Sequence, residues 1–148
     1  MSATRSVSTT DLELTDNWYA DDPSVAWRDN FPFTPGTPGT TGVVAESMLV
    51  VYAEFDAGKA LGRHTDSAEE LLVVLDGTLE VQVGEERRRL DAGGMTLVPE
   101  TVPHEVRNVG ESLARMVAVF PTTAVTSTFD APVMPFGETT FASGGGEN

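Results

Sequence analysis

The chain has 148 residues and a formal net charge of −14, because 23 acidic side chains outnumber nine basic ones. This length predicts a single domain. The charge disfavours nucleic acids and anionic membranes as partners, since both are bound through basic residues that neutralise phosphate groups. The sequence has no cysteine, which excludes disulfides, thiolate nucleophiles and zinc sites with cysteine ligands.

Signals for membranes and secretion are missing from the sequence. The longest fully apolar run covers residues 48–53, whereas a membrane helix needs about 20 such residues. No basic-then-apolar signal peptide opens the chain, so we expect a cytoplasmic protein. The acidic composition, with Lys59 as its single lysine, fits either an ordinary solvated surface or adaptation to a high-salt cytoplasm.

The first 42 residues divide into two parts. Residues 1–16 are rich in Ser, Thr and Asp and predict a flexible N-terminal arm. Residues 17–42 combine aromatic side chains with a Pro- and Gly-rich stretch, and we expect them to pack on the main domain or on a partner subunit. Helix is expected at most as a turn or two near residues 23–29. The aromatic residues of this segment are Trp18, Tyr19, Trp27, Phe31 and Phe33.

Residues 43–137 form the main domain, and their pattern is typical of short β-strands. From Leu79 to Val83 apolar residues alternate with polar ones, which is the period of a strand with one buried face. Asp76 and Gly77, just before this segment, are a strong hairpin turn signal. Short strands separated by frequent turns predict an all-β sandwich or barrel. Its core or pocket side chains are expected to include Met48, Tyr52, Met95, Met116 and Phe120.

The C-terminal part of the chain is expected to lie outside the central sheet. Pro132 and Pro135 argue against a central strand, because proline cannot donate a hydrogen bond to a sheet. We expect this stretch to pack across the barrel mouth or against a neighbouring subunit. Residues 138–148 end in a Gly-rich sequence and predict a flexible tail.

The candidate chemistry centres on two histidines, His64 and His104, the only ones in the chain. In an extended strand residues i and i+2 face the same side, so His64 and Asp66 point into the barrel together. Glu70 begins the next strand, where it can turn toward the same cavity. Two histidines and one carboxylate from different strands hold Fe(II) and other first-row metals while leaving coordination positions open.

At these positions the chain resembles the cupins, small double-stranded β-helix barrels with a jelly-roll topology. The first cupin signature is G-x5-H-x-H-x3-E-x6-G. The chain matches every spacing of it with Gly58, His64, Glu70 and Gly77, and Asp66 replaces the second histidine.

The second cupin signature, G-x5-P-x-G-x2-H-x3-N, is matched over the following strands. Gly93, Pro99, His104 and Asn108 keep its spacing, and Thr101 replaces a glycine. Two linked signatures are a far more specific signal than one short motif. The resemblance covers residues 43–122 and implies an all-β double-stranded β-helix of the small single-domain type.

The resemblance places His64, Glu70 and His104 at metal-ligand positions, while Asp66 departs from the pattern. Asp66 has three interpretations: a fourth ligand, a partner of a metal-bound water, or an acid–base group or bystander without metal contact. As a second carboxylate ligand it would favour harder ions, so Fe²⁺ or Mn²⁺ is preferred over Zn²⁺, Ni²⁺ or Cu²⁺. An intact barrel that has lost its metal is the remaining alternative.

The resemblance implies a mononuclear metal-dependent enzyme that acts on a small organic molecule inside the barrel. A dioxygenase-like oxidoreductase is the first interpretation, because open metal positions can bind both substrate and O₂. The alternatives are a metal-assisted isomerase or lyase with Asp66 as general base, and a non-catalytic cupin that binds a small ligand. Members of this family commonly pair, so a homodimer is expected.

Overall fold

The computed structural model describes residues 5–36 and 43–143. In this part of the chain it contains twelve strands and a 3-10 helix at Thr9–Asp11, which confirms the predicted all-β class. The strands are β1 (Thr15–Tyr19), β2 (Asp22–Asn30), β3 (Leu49–Phe55), β4 (Ala60–Asp66), β5 (Glu70–Asp76), β6 (Thr78–Val83), β7 (Glu86–Asp91), β8 (Met95–Val98), β9 (His104–Asn108), β10 (Ala114–Phe120), β11 (Val125–Met134) and β12 (Glu138–Ser143).

The strands form one sheet that curls into a barrel. Its order is β7-β6-β9-β4-β11-β1-β2-β3-β10-β5-β8, with β12 paired to β11. Almost all pairings are antiparallel, and the exception is a parallel contact between β2 and β4 at Val25 and Ala60. That contact joins strands that are separated by β11 and β1 in the order.

Alternation along the strands determines which side chains fill this interior. In β6, Leu79 and Val81 are buried as their spacing predicts. Tyr52, Met116 and Phe120 are also buried as expected.

Two of the methionines expected in the core lie instead at the surface. Met48 precedes β3 and Met95 lies on the edge strand β8, and their side chains are 46% and 62% exposed. The prediction failed because an apolar residue type does not reveal which face of a strand it occupies.

The N-terminal region contributes more strand than its composition predicts. The prediction of a helix near residues 23–29 is wrong, because β2 covers this segment and pairs with β1 and β3. Val25 and Trp27 alternate on the inward face and are buried, which stabilises a strand. Pro23 lies near the start of the strand, where a missing N–H is tolerated. Residues 1–4 of the arm predicted for residues 1–16 lie outside the described residues. In the rest, Leu12 is buried directly after the 3-10 helix, and β1 joins the barrel at Thr15.

The C-terminal stretch enters the sheet despite its prolines. β11 pairs with β4 near Ser127 and with β1 near Val133. Pro132 lies between these two pairings, at a register irregularity in the ladder to β12, so no ladder bond needs its N–H. The predicted flexible tail starts instead as β12 at Glu138–Ser143, and the rest of that prediction lies outside the described residues.

Within the described ranges no helix is long and apolar enough to cross a membrane.

Candidate metal centre

Three strands bring His64, Asp66 and His104 together in the barrel interior, with Glu70 beside His104. β4 carries His64 and Asp66 on the same face, β5 begins with Glu70, and β9 begins with His104. His64 and His104 are direct partners in the register of β4 and β9. All four residues are buried, with at most 6% of each residue exposed. The sequence-predicted residues are therefore neighbours in space, although 40 positions separate the two histidines along the chain.

The distances between their polar atoms match a shared coordination space. His104 Nε2 lies 3.1 Å from Asp66 Oδ2 and 3.2 Å from Glu70 Oε1. His64 Nε2 lies 3.5 Å from the same Asp66 oxygen. His64, Asp66 and His104 can each offer one ligand atom within 4.8 Å of the others, and Glu70 adjoins this group through His104.

Backbone carbonyls orient both imidazole rings. His64 Nδ1 lies 2.8 Å from the carbonyl oxygen of Gly62, and His104 Nδ1 lies 2.9 Å from that of Val102. A carbonyl oxygen can only accept, so each Nδ1 must carry the proton and donate. With Nδ1 engaged in this way, either ring would bind a metal through Nε2 after losing any proton there.

Asp66 is oriented by a residue that sequence analysis did not single out. The Ser127 hydroxyl donates a 2.5 Å hydrogen bond to Asp66 Oδ1. This bond leaves Oδ2 directed toward the two histidines. Ser127 and Asp66 are register partners on β11 and β4, a pairing that the sequence could not reveal because Pro132 argued against a strand there.

Buried polar atoms at this point lack satisfied hydrogen bonds. Asp66 Oδ2, Glu70 Oε1 and His104 Nε2 are fully enclosed and make no well-aligned hydrogen bond. Buried polar atoms are normally satisfied, and exceptions call for a specific explanation. Two carboxylate oxygens and an imidazole nitrogen converging in this way are a suitable donor set for a divalent first-row metal.

Electrostatics in the centre favour a positive charge between the carboxylates. Burial alone would lower the pKa of His104, but Asp66 and Glu70 raise that pKa to about 10. Burial would raise the pKa of Asp66, yet contacts with His104, His64 and Ser127 hold it well below its ordinary value. A divalent cation competes with the histidine proton for this position, since a histidine ligand must be neutral.

The remaining signature residues support the framework around the centre. The side-chain amide of Asn108 donates to the carbonyl oxygens of Phe55 and Ser112, at 2.9 and 2.8 Å, and its Oδ1 accepts from Gly110 N–H. Gly77 has φ 81°, and a Cβ there would lie 2.9 Å from the Ala114 backbone. These contacts give Asn108 and Gly77 a structural role in the framework around the centre.

The centre opens onto a cavity of about 490 Å³. His64, Asp66 and Glu70 line it together with mostly apolar and aromatic side chains. Phe129 stacks on His64 with ring centroids 4.6 Å apart, and Trp27 stacks on Phe129 with centroids 5.6 Å apart. A small organic molecule in this cavity would contact the candidate ligands directly.

Comparison with known proteins agrees with the signature motifs. Residues 51–120 match the model of the Cupin domain family. No curated protein matches the chain in sequence. The family match and the barrel identify residues 51–120 as a cupin domain.

Solved structures share the barrel at low sequence identity. The TT1209 protein of Thermus thermophilus is 30% identical, with a TM-score of 0.50 over 53% of this chain and 75% of that one. Oxalate oxidase in complex with the substrate analogue glycolate is 23% identical, with a TM-score of 0.56 over 69% of this chain and 53% of that one. Salicylate 1,2-dioxygenase of Pseudoaminobacter salicylatoxidans, with gentisate, is 18% identical, with a TM-score of 0.54 over 70% and 26%. The last two likenesses concern the fold.

Proposed function

We propose that the chain is a mononuclear metal-dependent enzyme that acts on a small organic molecule in the barrel cavity, through dioxygenase-like oxidation. The observation that carries the proposal is the convergence of unsatisfied ligand atoms from Asp66, Glu70 and His104 beside His64 at the cavity wall. Such buried and unsatisfied groups are costly to a fold and are concentrated at functional sites.

In this proposal His64, His104, Glu70 and Asp66 hold the ion. The two carboxylates favour Fe²⁺ or Mn²⁺ over softer ions. A bound ion of this kind supplies Lewis acidity and open positions for substrate and O₂. The protein contributes orientation through Gly62, Val102 and Ser127, and its aromatic wall excludes water from the reacting molecule.

The dioxygenase-like reaction is favoured over other cupin chemistry on two grounds. Histidine and carboxylate ligands on a ferrous ion with open positions suit chemistry with O₂. In addition, an oxidase and a dioxygenase are among the proteins with a similar barrel. Since a fold hosts many reactions, the oxygen measurement described below decides this point.

A metal-assisted isomerase or lyase is the second candidate, and Asp66 favours it. This carboxylate stands where the family signature has a histidine, and its Oδ2 is held toward the cavity by the bond from Ser127 to Oδ1. If Asp66 does not bind the ion, its Oδ2 can take a proton from a bound substrate as general base.

Metal loading of full-length protein without a histidine tag tests the proposal. After anaerobic incubation with Fe²⁺ or Mn²⁺ and desalting, elemental analysis should find about one equivalent of metal per chain. Less than about a tenth of an equivalent would overturn the metalloenzyme proposal. Oxygen uptake by the Fe²⁺ form is then measured with a panel of small phenols and hydroxy acids. Substrate conversion without oxygen uptake would support the isomerase or lyase.

Two adjacent glutamates provide a matched control for this test. Glu70→Gln removes a candidate ligand, and we expect metal affinity to fall at least about tenfold. Glu69→Gln makes the same charge change on an exposed side chain and should leave metal binding unaltered. Equal affinities of the two variants would remove Glu70 from the ligand set.

A further inference from the structure

A carboxylate apart from the candidate ligands also lines the cavity. Asp29 follows Val25 and Trp27 at every second position of β2, so these three side chains share the inward face. Thr15 and Asn17 of β1 are the register partners of Asp29 and Trp27. Thr15, Asn17, Trp27 and Asp29 line the cavity, and the three polar residues among them form a polar patch on its wall.

The groups around Asp29 leave its charge unbalanced. Trp27 Nε1 donates to Asp29 Oδ2 at 3.1 Å, and Asn17 also interacts with the carboxyl. The residues paired with it across the sheet, Thr15 and Ala53, are uncharged. Nowhere in the described ranges does a Lys, Arg or His side chain form a salt bridge with it. Burial raises the pKa of Asp29 to about 6, so at neutral pH the carboxylate is ionised and lacks a counter-ion.

The cavity as a whole is also lined by more negative than positive side chains. Its described lining includes three carboxylates, Asp29, Asp66 and Glu70, and neither a Lys nor an Arg. A divalent ion offsets two of these negative charges and leaves one. An anionic substrate would therefore meet a net negative cavity with no guanidinium or ammonium group to pair with its charge.

Four aromatic rings line the same cavity as Asp29. Trp27 is stacked with Phe129, and Phe141 packs edge-on against Phe129 at 5.9 Å and against Phe136 at 5.8 Å. All four rings line the cavity. Aromatic faces beside a carboxylate are a typical environment for an ammonium group, because the ring quadrupole attracts cations.

We propose that the cavity selects a small organic molecule carrying a protonated amine, with Asp29 as the counter-ion of that amine. This inference rests on the proposed function, because Asp29 and the candidate ligands line the same cavity. It distinguishes the chain from the similar barrels that hold glycolate or gentisate, since both of those ligands are carboxylates.

Three probes of matched size and different charge test the selection. They are 2-phenylethylammonium, 2-phenylethanol and phenylacetate, titrated calorimetrically into the full chain at pH 7.5, once with Zn²⁺ and once with chelator. With chelator the cation should bind at least about tenfold more tightly than the anion. In ¹⁵N-labelled protein the Trp27 indole N–H resonance should shift with the cation, because this N–H contacts Asp29.

Asp29→Asn is the decisive variant, since an amide oxygen can still accept from Trp27 while the charge is lost. We expect it to weaken binding of 2-phenylethylammonium about tenfold or more and to leave 2-phenylethanol within about twofold. Asp16→Asn removes the same charge from an exposed side chain of β1 and should change neither. Three results would each overturn the inference: no binding of the cation at about 10 mM, equal binding of the anion in chelator, or no effect of Asp29→Asn.

The outcomes separate this inference from the proposed function. Elemental analysis shows whether the chain binds a metal, and the chelator titrations require none. Metal binding without amine selection would reject the role of Asp29 alone. Amine selection by a chain that binds no metal would reject the metalloenzyme and leave Asp29 as part of a ligand-binding site.

Discussion

The cavity holds carboxylates in two places that differ in how their charge is balanced. Asp66 and Glu70 face His104 at 3.1 and 3.2 Å and converge with His64 on one point. Asp29 faces only the neutral donors of Trp27 and Asn17. Contacts with His104, His64 and Ser127 lower the pKa of Asp66, whereas burial raises the pKa of Asp29. The same type of side chain is therefore close to histidines in one place and, within the described residues, without a charged partner in the other.

The largest expected effect in this comparison comes from His104→Ala. The change removes the nitrogen that lies between Asp66 and Glu70 and leaves two buried carboxylates facing each other. Metal content after loading with Mn²⁺ should fall from about one equivalent to less than about a tenth. Elemental analysis measures this, with Glu105→Gln on the same strand as control. A full equivalent in His104→Ala would show that the metal does not depend on this centre.

A smaller loss of metal affinity is expected from Ser127→Ala. This variant keeps every candidate ligand and removes only the hydrogen bond that orients Asp66. Metal affinity should fall about 10–100-fold, the usual effect of losing a group that positions a ligand. Competition with a chromogenic chelator measures the affinity. Thr126→Ala, an exposed neighbour on β11, should bind metal as the wild type does, and an equal loss in both variants would indicate general damage to the strand.

Neutralising Asp29 should increase stability rather than weaken binding, because it removes the free-energy cost of burying a carboxylate. Its folded pKa of about 6 lies above the unfolded value near 3.9, so the folded state favours the protonated form. Stability is then greatest below about pH 4 for this group and declines as the pH rises toward 6. Asp29→Asn should therefore raise the free energy of unfolding at pH 8 by about 1–2 kcal/mol.

Urea unfolding of metal-free protein at pH 8 and at pH 4.5 measures this difference. The gain from Asp29→Asn should be clear at pH 8 and largely absent at pH 4.5, where the wild-type carboxyl is protonated. Asp16→Asn is the control with an exposed carboxylate. A loss of stability in Asp29→Asn at pH 8 would mean that the carboxylate already has a stabilising partner.

The two places in the cavity also differ in how well the sequence predicts them. His64, Glu70 and His104 are predicted because their spacing resembles the two cupin signatures, whose glycines mark turns such as the one at Gly77, where φ is positive. Turn residues and the spacing of ligands are local features, so they can be recognised in a single sequence. The barrel class follows in the same way from alternation and turn signals.

Asp29 and Ser127 carry no such local signal. Asp29 enters the cavity because β2 pairs with β1 and β3, and its segment was predicted to contain a turn or two of helix. Ser127 meets Asp66 because β11 pairs with β4, and Pro132 had argued against a strand there. The positions of Asp29 and Ser127 thus depend on how strands pair across the sheet. Sequence patterns do not specify that pairing.

The smallest expected effect concerns Thr101, the residue that replaces a signature glycine. Its φ of 64° lies in the left-handed region, which costs a non-glycine residue about 1–2 kcal/mol. Thr101→Gly relieves that strain but increases the freedom of the unfolded chain by about 0.5–1 kcal/mol. A net gain of about 0.5 kcal/mol in the free energy of unfolding is expected, measured by urea unfolding.

Metal affinity should not follow this gain in stability. The backbone N–H of Thr101 donates to the Asp66 carbonyl at 2.8 Å, and glycine keeps that bond. Glu100→Gly, at a neighbouring position without positive φ, should instead lose about 0.5–1 kcal/mol of stability. If Thr101→Gly changed metal affinity as strongly as Ser127→Ala, the threonine would act on the centre itself, and Thr101 would belong with the groups that position Asp66 rather than with the framework.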